Sequence, residues 1–163
     1  MSDLKKLSDE ALMQLISPSS NVIKELKNRK IIRTKNIVGE IGEYYAIKFY
    51  NKLKNLPNLT LAPPGVKNVD ALSRDGEIYS IKCISSLNGT TGSFWDPESI
   101  EKNNQKFHFL IIVILDENYG VEKILELTWE DFMKYKKYNK RMNNYNISIT
   151  KTIINQVKII YEK

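Results

Sequence analysis

The chain has 163 residues, 42% of them hydrophobic, which is enough for one hydrophobic core but short for two. We therefore expect one domain over 1–163. Cys83 is the only cysteine and His108 the only histidine, so neither an internal disulfide nor a His/Cys zinc site can form within one chain. Any metal should be a hard cation on oxygen ligands. The formal charge of +6 fits a polyanionic partner, although a composition rich in Asn, Lys and Ile also produces it.

No segment of the sequence predicts a membrane protein. The apolar run from Phe109 to Leu115 is far shorter than the ~20 residues that cross a bilayer. The start of the chain lacks the apolar centre of a signal peptide. We therefore expect a cytoplasmic protein with no membrane partner.

Hydrophobic periodicity predicts helices first, then strands, then helices. A helix over 8–16 and a second over 21–30 form a helical N-terminal extension, 1–35. The longest helical pattern covers 36–54, and five strand patterns follow it: 59–62, 67–73, 77–85, 107–115 and 121–128. Thr128, or a residue just after it, opens a further helix through 129–137, and an amphipathic helix is predicted for 147–163. This order predicts an α/β fold with a mixed β-sheet flanked by helices.

Two irregular segments carry aromatic residues. The polar stretch 85–99 contains Phe94 and Trp95, which either contact a nucleic-acid groove or pin the loop to the core. Residues 135–146 interleave tyrosines with lysines and an arginine. That pattern predicts either a surface that stacks on bases and binds phosphates, or the exposed end of a basic helix.

The segment from residue 68 to 83 predicts a β-hairpin with charges inside otherwise apolar strands. With a two-residue turn at 75–76, Asp70 would lie opposite Ile81 with no partner for its charge. A three-residue loop at 74–76 avoids that cost, because an unpaired buried charge is very unfavourable.

In the three-residue register, Asp70 lies opposite Ser80. Ser80 shares its strand face with Lys82, since side chains alternate along a strand. Gly76 would adopt the left-handed conformation of a bulge. The hairpin therefore gathers an aspartate, a serine and a lysine on one face.

This arrangement resembles the motif of the PD-(D/E)XK superfamily of restriction-endonuclease-like nucleases. Asp70 is followed ten residues later by a polar-X-Lys triplet, Ser80 to Lys82, and is preceded by a helix that carries GEIGE, Gly39 to Glu43. The chain is also similar to small uncharacterised bacterial proteins assigned to that superfamily. The resemblance implies a restriction-endonuclease-like fold.

One position departs from the family pattern. The family usually has Glu or Asp where Ser80 stands, so the second metal-binding acid must come from elsewhere. Four glutamates are candidates: Glu40, Glu43, Glu98 and Glu101.

Helical geometry ranks the first two of these glutamates. Gly39, Gly42 and Ala46 fall within about 60° of one another at ~100° per residue, which is a small-residue stripe suited to close approach to the sheet. Glu43 lies about 40° from Gly39, so we expect it to reach the sheet-side cleft. Glu40 lies about 100° away and is expected at the rim or in solvent.

The resemblance implies a Mg²⁺-dependent endonuclease, with Mn²⁺ as a substitute cation. Asp70 would be a direct metal ligand, Glu43 would hold a metal-bound water, and the carbonyl of Ile81 would be a further ligand. Lys82 would orient or activate the attacking water and stabilise the developing negative charge. Ser80 could only donate a hydrogen bond. We expect solvent to reach Ser80, and therefore expect Ser80→Glu to be tolerated.

The expected substrate is DNA, with RNA as the alternative, in a restriction or other defence role. Six residues are predicted to contact nucleic acid: Lys30, Arg33, Lys35, Lys67, Asn88 and Thr90. Cleavage of both strands needs two sites, so a homodimer is expected, and a restriction role implies a cognate methyltransferase.

Two other interpretations remain open from the sequence. Asp70 and Lys82 would form a structural ion pair in a protein whose polar cleft is coincidental. Alternatively, the missing acid indicates a non-catalytic nucleic-acid-binding protein on a degenerate nuclease fold.

Overall fold

The computed structural model describes residues 7–34, 36–63, 66 and 69–163. Five helices are present in this part of the chain: α1 (Asp9–Asn28), α2 (Ile37–Lys52), α3 (Pro97–Glu101), α4 (Trp129–Tyr135) and α5 (Lys151–Ile154). The same part contains eight strands: β1 (Leu59–Leu61), β2 (Ala71–Ser73), β3 (Ile78–Ile84), β4 (Phe109–Leu115), β5 (Val121–Thr128), β6 (Lys137–Asn139), β7 (Asn144–Asn146) and β8 (Lys158–Glu162).

Six strands form one mixed sheet in the order β1-β2-β3-β4-β5-β8. β3 and β4 run parallel, and the other neighbours are antiparallel. The parallel pair requires a crossover, which residues 85–108 supply with α3. β6 and β7 form a separate two-stranded sheet. The α/β class and the helix-flanked mixed sheet are as predicted, with antiparallel pairing in the majority.

Side chains at the ends of elements explain where several of them begin and stop. Asn36 caps α2, its Oδ1 accepting from the N–H of Gly39 at 3.2 Å. Asn51 joins the end of α2 to β1 through two hydrogen bonds with the backbone of Leu59. Thr128 caps α4 in a reciprocal capping box, as the sequence predicted.

The sheet is covered on both faces. α2 packs on one face, which we call the α2 face, against a buried cluster that includes Ala46, Tyr50, Tyr79, Ile81 and Ile111. The other face, the cleft face, packs against α3, α4, α5 and the segment after β7; its buried cluster includes Phe94, Ile100, Phe107, Leu110 and Phe132. Because side chains alternate along β3, Ser80 and Lys82 point to the cleft face and away from α2.

Three predictions outside the central strands are wrong. The N-terminal extension is helical, but α1 is one continuous helix rather than two. Residues 135–146 contain the β6–β7 hairpin instead of a helix end, and α3 begins inside the loop predicted to be irregular and ends two residues beyond it. Within the described residues, no helix has the length and apolar character required to cross a membrane. One domain over 1–163 stays a prediction.

The predicted C-terminal helix, 147–163, is also wrong. The helix is limited to α5, and β8 adds an edge strand to β5. Two cross-strand ion pairs accompany this pairing: Lys158 with Glu126, and Lys123 with Glu162. β8 thus supplies ion-pair partners for the buried parts of Glu126 and Lys123. An Ile-rich segment can form either a helix or a strand, and here the pairing with β5 outweighs the helical pattern in the sequence.

Gly42 allows α2 to approach β3 closely. A Cβ placed at Gly42 would lie well inside van der Waals distance of the Cβ of Cys83, and 2.8 Å from its Sγ. Ala46, one turn further along, is fully buried against the same face. Gly39 contacts its own N-cap, Asn36, rather than the sheet. The small-residue stripe is therefore confirmed for two of its three members.

Gly42→Ala should destabilise the protein by about 1–3 kcal/mol, because the added methyl must push α2 away from β3. Gly92→Ala is the matched control, since nothing lies within 4 Å of a Cβ at Gly92. Urea unfolding of both variants measures the difference. Equal stability of the two variants would contradict the close approach.

Burial raises the pKa of the Cys83 thiol from about 9 to about 12. At pH 8 the thiolate fraction is then about 1,000-fold lower in the folded protein than in the unfolded chain. We expect a thiol reagent to modify the native protein at least that much more slowly than the urea-unfolded protein. Because the folded pKa is the higher one, the stabilising contribution is complete below pH 9 and is lost as the pH rises towards 12. Similar rates in both states would contradict this burial.

Candidate active site

The hairpin between β2 and β3 has the three-residue loop that the sequence predicted. The N–H of Ser73 donates to the carbonyl of Glu77 at 3.0 Å. Gly76 has a φ of +85°, in the left-handed region that glycine adopts without strain. Ala71 pairs with Tyr79, which is the register that brings Asp70 to Ser80 rather than to Ile81.

The carboxylate of Asp70 sits where β2 stops pairing with β3. Its Oδ2 accepts hydrogen bonds from the N–H of Ile81 at 2.6 Å and from the hydroxyl of Ser80 at 3.0 Å. The Nζ of Lys82 lies 3.9 Å from the same oxygen. One carboxylate oxygen thus replaces a missing ladder bond, and its charge is balanced by two donors and an ammonium group.

The backbone of Ile81 faces the same edge of the sheet. In an antiparallel pair, the N–H and C=O of one residue point towards the same neighbouring strand. Since the N–H of Ile81 points at Asp70, its carbonyl also faces that side. The Oδ1 of Asp70 has no hydrogen-bond partner within the described residues. The Oδ1 of Asp70 and the carbonyl of Ile81 are therefore the two oxygens near the sheet edge that could contact a ligand.

Arg33 gathers two glutamates of α2. Its Nη2 lies 2.5 Å from Oε2 of Glu43, while its backbone N–H donates to Oε2 of Glu40 at 2.9 Å. Glu40 is buried, so its predicted place at the rim or in solvent is wrong; Arg33 folds back over it and balances its charge. Burial raises the pKa of Glu43, and the neighbouring Asp70 raises it further, while Arg33 lowers it.

A cleft of about 720 Å³ opens on the cleft face beside Asp70. Its walls are formed by Asp70, Ser80, Lys82, Ser93, Phe94, Trp95, Asp96 and Phe107. Glu43 instead borders a smaller depression of about 230 Å³ that also contains Arg33, Glu40 and Asp70. The expectation that Glu43 reaches the same cleft as Lys82 needs correction: alternation along β3 sends Lys82 to the face opposite α2. Asp70 borders both spaces.

Ser80 and Lys82 are held tightly within the cleft wall. Ser80 is only 2% exposed, so the expectation that solvent reaches it is wrong; its hydroxyl is directed at Asp70. The Nζ of Lys82 lies 5.3 Å from the centre of the Phe94 ring. The ammonium group is therefore held between an aromatic face and a carboxylate.

Four predicted nucleic-acid contacts lie in described parts of the chain but not in the cleft wall. Lys30 is exposed just after α1, and Arg33 is ion-paired to Glu40 and Glu43. Asn88 borders a different depression, and the hydroxyl of Thr90 lies 3.2 Å from that of Ser148. The structure does not bring these four side chains together.

Two further predicted contacts, Lys35 and Lys67, lie outside the described residues. The remaining candidate acids do not complete the cleft either. Glu98 is exposed on α3, and Glu101 accepts a hydrogen bond from the hydroxyl of Tyr145 at 2.9 Å.

Two polar cleft residues were missed by the sequence analysis, Asp96 and Ser93. Asp96 caps α3, and its hydrogen bond from Lys106 at 3.0 Å lowers the pKa of its carboxyl group. The Asp-Pro pair before a helical turn could have indicated this cap. Ser93 accepts from the Nδ2 of Asn144 at 2.7 Å, a contact that depends on β7 and that no local pattern predicts.

The oxygens beside Asp70 do not form a dense cluster of acidic ligands. No three His, Cys, Asp or Glu side chains converge on a common point in the part of the chain that the structure describes. Mg²⁺, however, often takes only one or two carboxylates and keeps several waters. Asp70 and Glu43 border the same depression of about 230 Å³. Magnesium binding by these residues stays a prediction.

Comparison with known proteins adds no assignment to this geometry. The chain matches no protein-family model, and no curated protein sequence is significantly similar to it. Membership of the PD-(D/E)XK superfamily therefore stays a proposal based on the motif and on the arrangement around Asp70.

Proposed function

We propose that this protein is a Mg²⁺-dependent nuclease that hydrolyses phosphodiester bonds, with DNA as the preferred substrate. One observation carries the proposal. The hairpin register brings Asp70, the backbone of Ile81 and Lys82 to one point at the sheet edge, beside a cleft of about 720 Å³. A restriction or other defence role, a homodimer and a cognate methyltransferase belong to the same proposal.

The order of elements supports a restriction-endonuclease-like fold. α2 comes first, followed by three antiparallel strands and a fourth strand parallel to the third. The aspartate and the lysine of the motif lie at the second and third of these strands. This order is consistent with the motif that resembles the PD-(D/E)XK superfamily.

Each residue of the candidate site would have a separate role in phosphodiester hydrolysis. Bound Mg²⁺, or Mn²⁺, would polarise the phosphate and lower the pKa of a bound water. Asp70 and the carbonyl of Ile81 would hold the cation, and Glu43 would bind one of its waters. Lys82 would orient the attacking water and stabilise negative charge on the phosphate, since its ammonium group is already fixed at the cleft.

A second candidate function is nucleic-acid binding without cleavage. It is favoured by the environment of the two acids: Glu43 is ion-paired to Arg33, and Oδ2 of Asp70 is fully occupied by donors. Ser80, in the place of the usual acid, contributes no ligand charge. In this case the same cleft would bind phosphates through Lys82 alone.

Asp70→Asn and Lys82→Ala should each reduce hydrolysis by at least ~100-fold while leaving nucleic-acid binding nearly unchanged. Asn keeps the shape of the side chain and its hydrogen bond from Ile81 but lacks the charge that holds a cation. Cleavage is measured with plasmid DNA, single-stranded DNA and RNA in Mg²⁺, and binding is measured with Ca²⁺ at one salt concentration.

Asp75→Asn, in the exposed turn of the same hairpin, and Lys54→Ala, exposed after α2, are the controls and should cut like the wild type. If both site variants cut normally, these residues do not carry the reaction. If the wild type binds nucleic acid but never cuts it, the non-catalytic interpretation is the better one.

Ser80→Glu should lower stability by about 1–3 kcal/mol relative to Ser80→Gln in the absence of metal. The two variants differ little in size, but Glu places a second carboxylate next to the buried side of Asp70. Mg²⁺ should restore part of the loss in Ser80→Glu only, because two facing carboxylates bind the cation. Thermal unfolding with and without Mg²⁺ measures both effects. Equal stability of Glu and Gln at neutral pH would contradict this placement of Ser80.

A further inference from the structure

Trp95 is an exposed aromatic side chain beside the candidate active site. Its exposed fraction is 57%, although it borders the cleft that contains Asp70 and Lys82. The other tryptophan, Trp129, is 4% exposed and donates its indole N–H to Asn103. The indole of Trp95 is thus exposed at the cleft instead of packing in the hydrophobic core.

The backbone around Trp95 is fixed on both sides. Phe94 exchanges two hydrogen bonds with Tyr145 of β7, at 2.8 and 3.0 Å, and its ring is buried against Phe132. On the other side, Asp96 caps α3. The backbone that carries the indole is therefore held on both sides, although the surrounding sequence is polar and rich in glycine.

Strand pairing connects the segment that carries Trp95 to the β6–β7 hairpin. Phe94 pairs with Tyr145, and Tyr145 pairs with Tyr138 of β6. Because faces alternate, Trp95 shares its face with Lys137, and Tyr138 points to the opposite one. The position across from Trp95 on β6 is Asn139, and Lys137 lies two residues further along the strand, so two strand spacings and two residues separate Trp95 from Lys137, about 12 Å.

The basic side chains of this hairpin have no acidic partner. Lys137, Lys140 and Arg141 are exposed and form no ion pair with any residue that the structure describes. In the cleft itself the charges are balanced, since Lys82 lies beside Asp70. Attraction for a polyanion therefore comes from the hairpin, and the cleft adds an aromatic surface.

We propose that Trp95 and the β6–β7 hairpin form a binding site for single-stranded nucleic acid. A base would stack on the indole of Trp95, and the adjoining phosphates would contact Lys137, Lys140 and Arg141. An unpaired base is required, because a duplex covers both faces of its bases and exposes only their edges. Exposed aromatic rings beside a basic track are the usual elements of single-strand recognition.

This inference rests on the proposed function for its ligand class, and it narrows the substrate to a strand with unpaired bases near the bond that is cut. The cleft volume of about 720 Å³ lies within the ~300–1,000 Å³ of sites that enclose small ligands. One nucleotide presented by a single strand fits that range.

Binding of a thymidine oligomer of ~15 nucleotides in Ca²⁺ tests the site without cleavage. Trp95→Ala should weaken binding about 5- to 150-fold, the range for loss of one base–aromatic stack. Lys140→Ala combined with Arg141→Ala should reduce the salt slope by about 1.4, at ~0.7 per phosphate contact in a single strand. A matched duplex should bind more weakly than the single strand and should not respond to Trp95→Ala.

Two controls match these changes. Tyr138→Ala removes a ring that is 50% exposed on the same hairpin but on the opposite face, and should leave affinity unchanged. Lys52→Ala combined with Lys54→Ala removes the same charge at the end of α2 and should leave the salt slope unchanged. Circular dichroism and thermal unfolding confirm that each variant is folded.

Tryptophan fluorescence gives a second readout. The oligomer should quench the emission of the wild type and of Tyr138→Ala but not that of Trp95→Phe, in which only the buried Trp129 emits. If Trp95→Ala and Trp95→Phe bind and quench like the wild type, or if the duplex is preferred, the inference is wrong.

The outcomes separate this inference from the proposed hydrolysis. Single-strand binding that depends on Trp95, without cleavage in Mg²⁺, supports the binding site and contradicts the nuclease. Cleavage that depends on Asp70 but not on Trp95 supports the nuclease and contradicts the binding site. Absence of any nucleic-acid binding contradicts both.

Discussion

The hydrogen bond from the N–H of Ile81 to the carboxylate of Asp70 is the contact on which the site depends. β2 pairs with β3 only briefly, and an N–H inside a buried sheet must find an acceptor when the neighbouring strand leaves. A charged acceptor makes this bond strong, and it fixes the aspartate at the sheet edge. The same bond explains how a strand tolerates a charge and why that charge lies next to Lys82.

The positively charged groups beside Asp70 and Glu43 limit the ability of each carboxylate to bind a cation. Asp70 directs one oxygen to Ser80, Ile81 and Lys82, and only the other oxygen is available to a cation. Glu43 shares Arg33 with Glu40 and lies on the α2 face. Under the proposed function, a cation would compete with the ammonium group of Lys82 and the guanidinium group of Arg33, so its affinity in the absence of substrate is expected to be low.

Local sequence signals predicted the central strands, α2, the cap at Thr128 and the hairpin register, because each depends on alternation, a cap or the cost of an unpaired charge. These local signals gave wrong predictions where partners distant in the sequence determine the structure. The C-terminal segment forms β8 against β5, where Glu126 and Lys123 find ion-pair partners. Glu40 is buried because Arg33, seven residues earlier, folds over it. Helical angles alone cannot show either arrangement.

The wall of the cleft is ordered by contacts with residues that are distant in the sequence. A segment of polar and glycine residues would be mobile by composition, yet it pairs repeatedly with β7 and the chain after it: Phe94 with Tyr145, Thr91 with Ile147, and Gly89 with Ile149. The conformational entropy of this loop is therefore lost during folding rather than on binding. A ligand that stacks on a ring placed in this way loses less of its interaction energy to ordering the protein. An exposed aromatic residue on a flexible loop would instead lose this ordering entropy when the ligand binds.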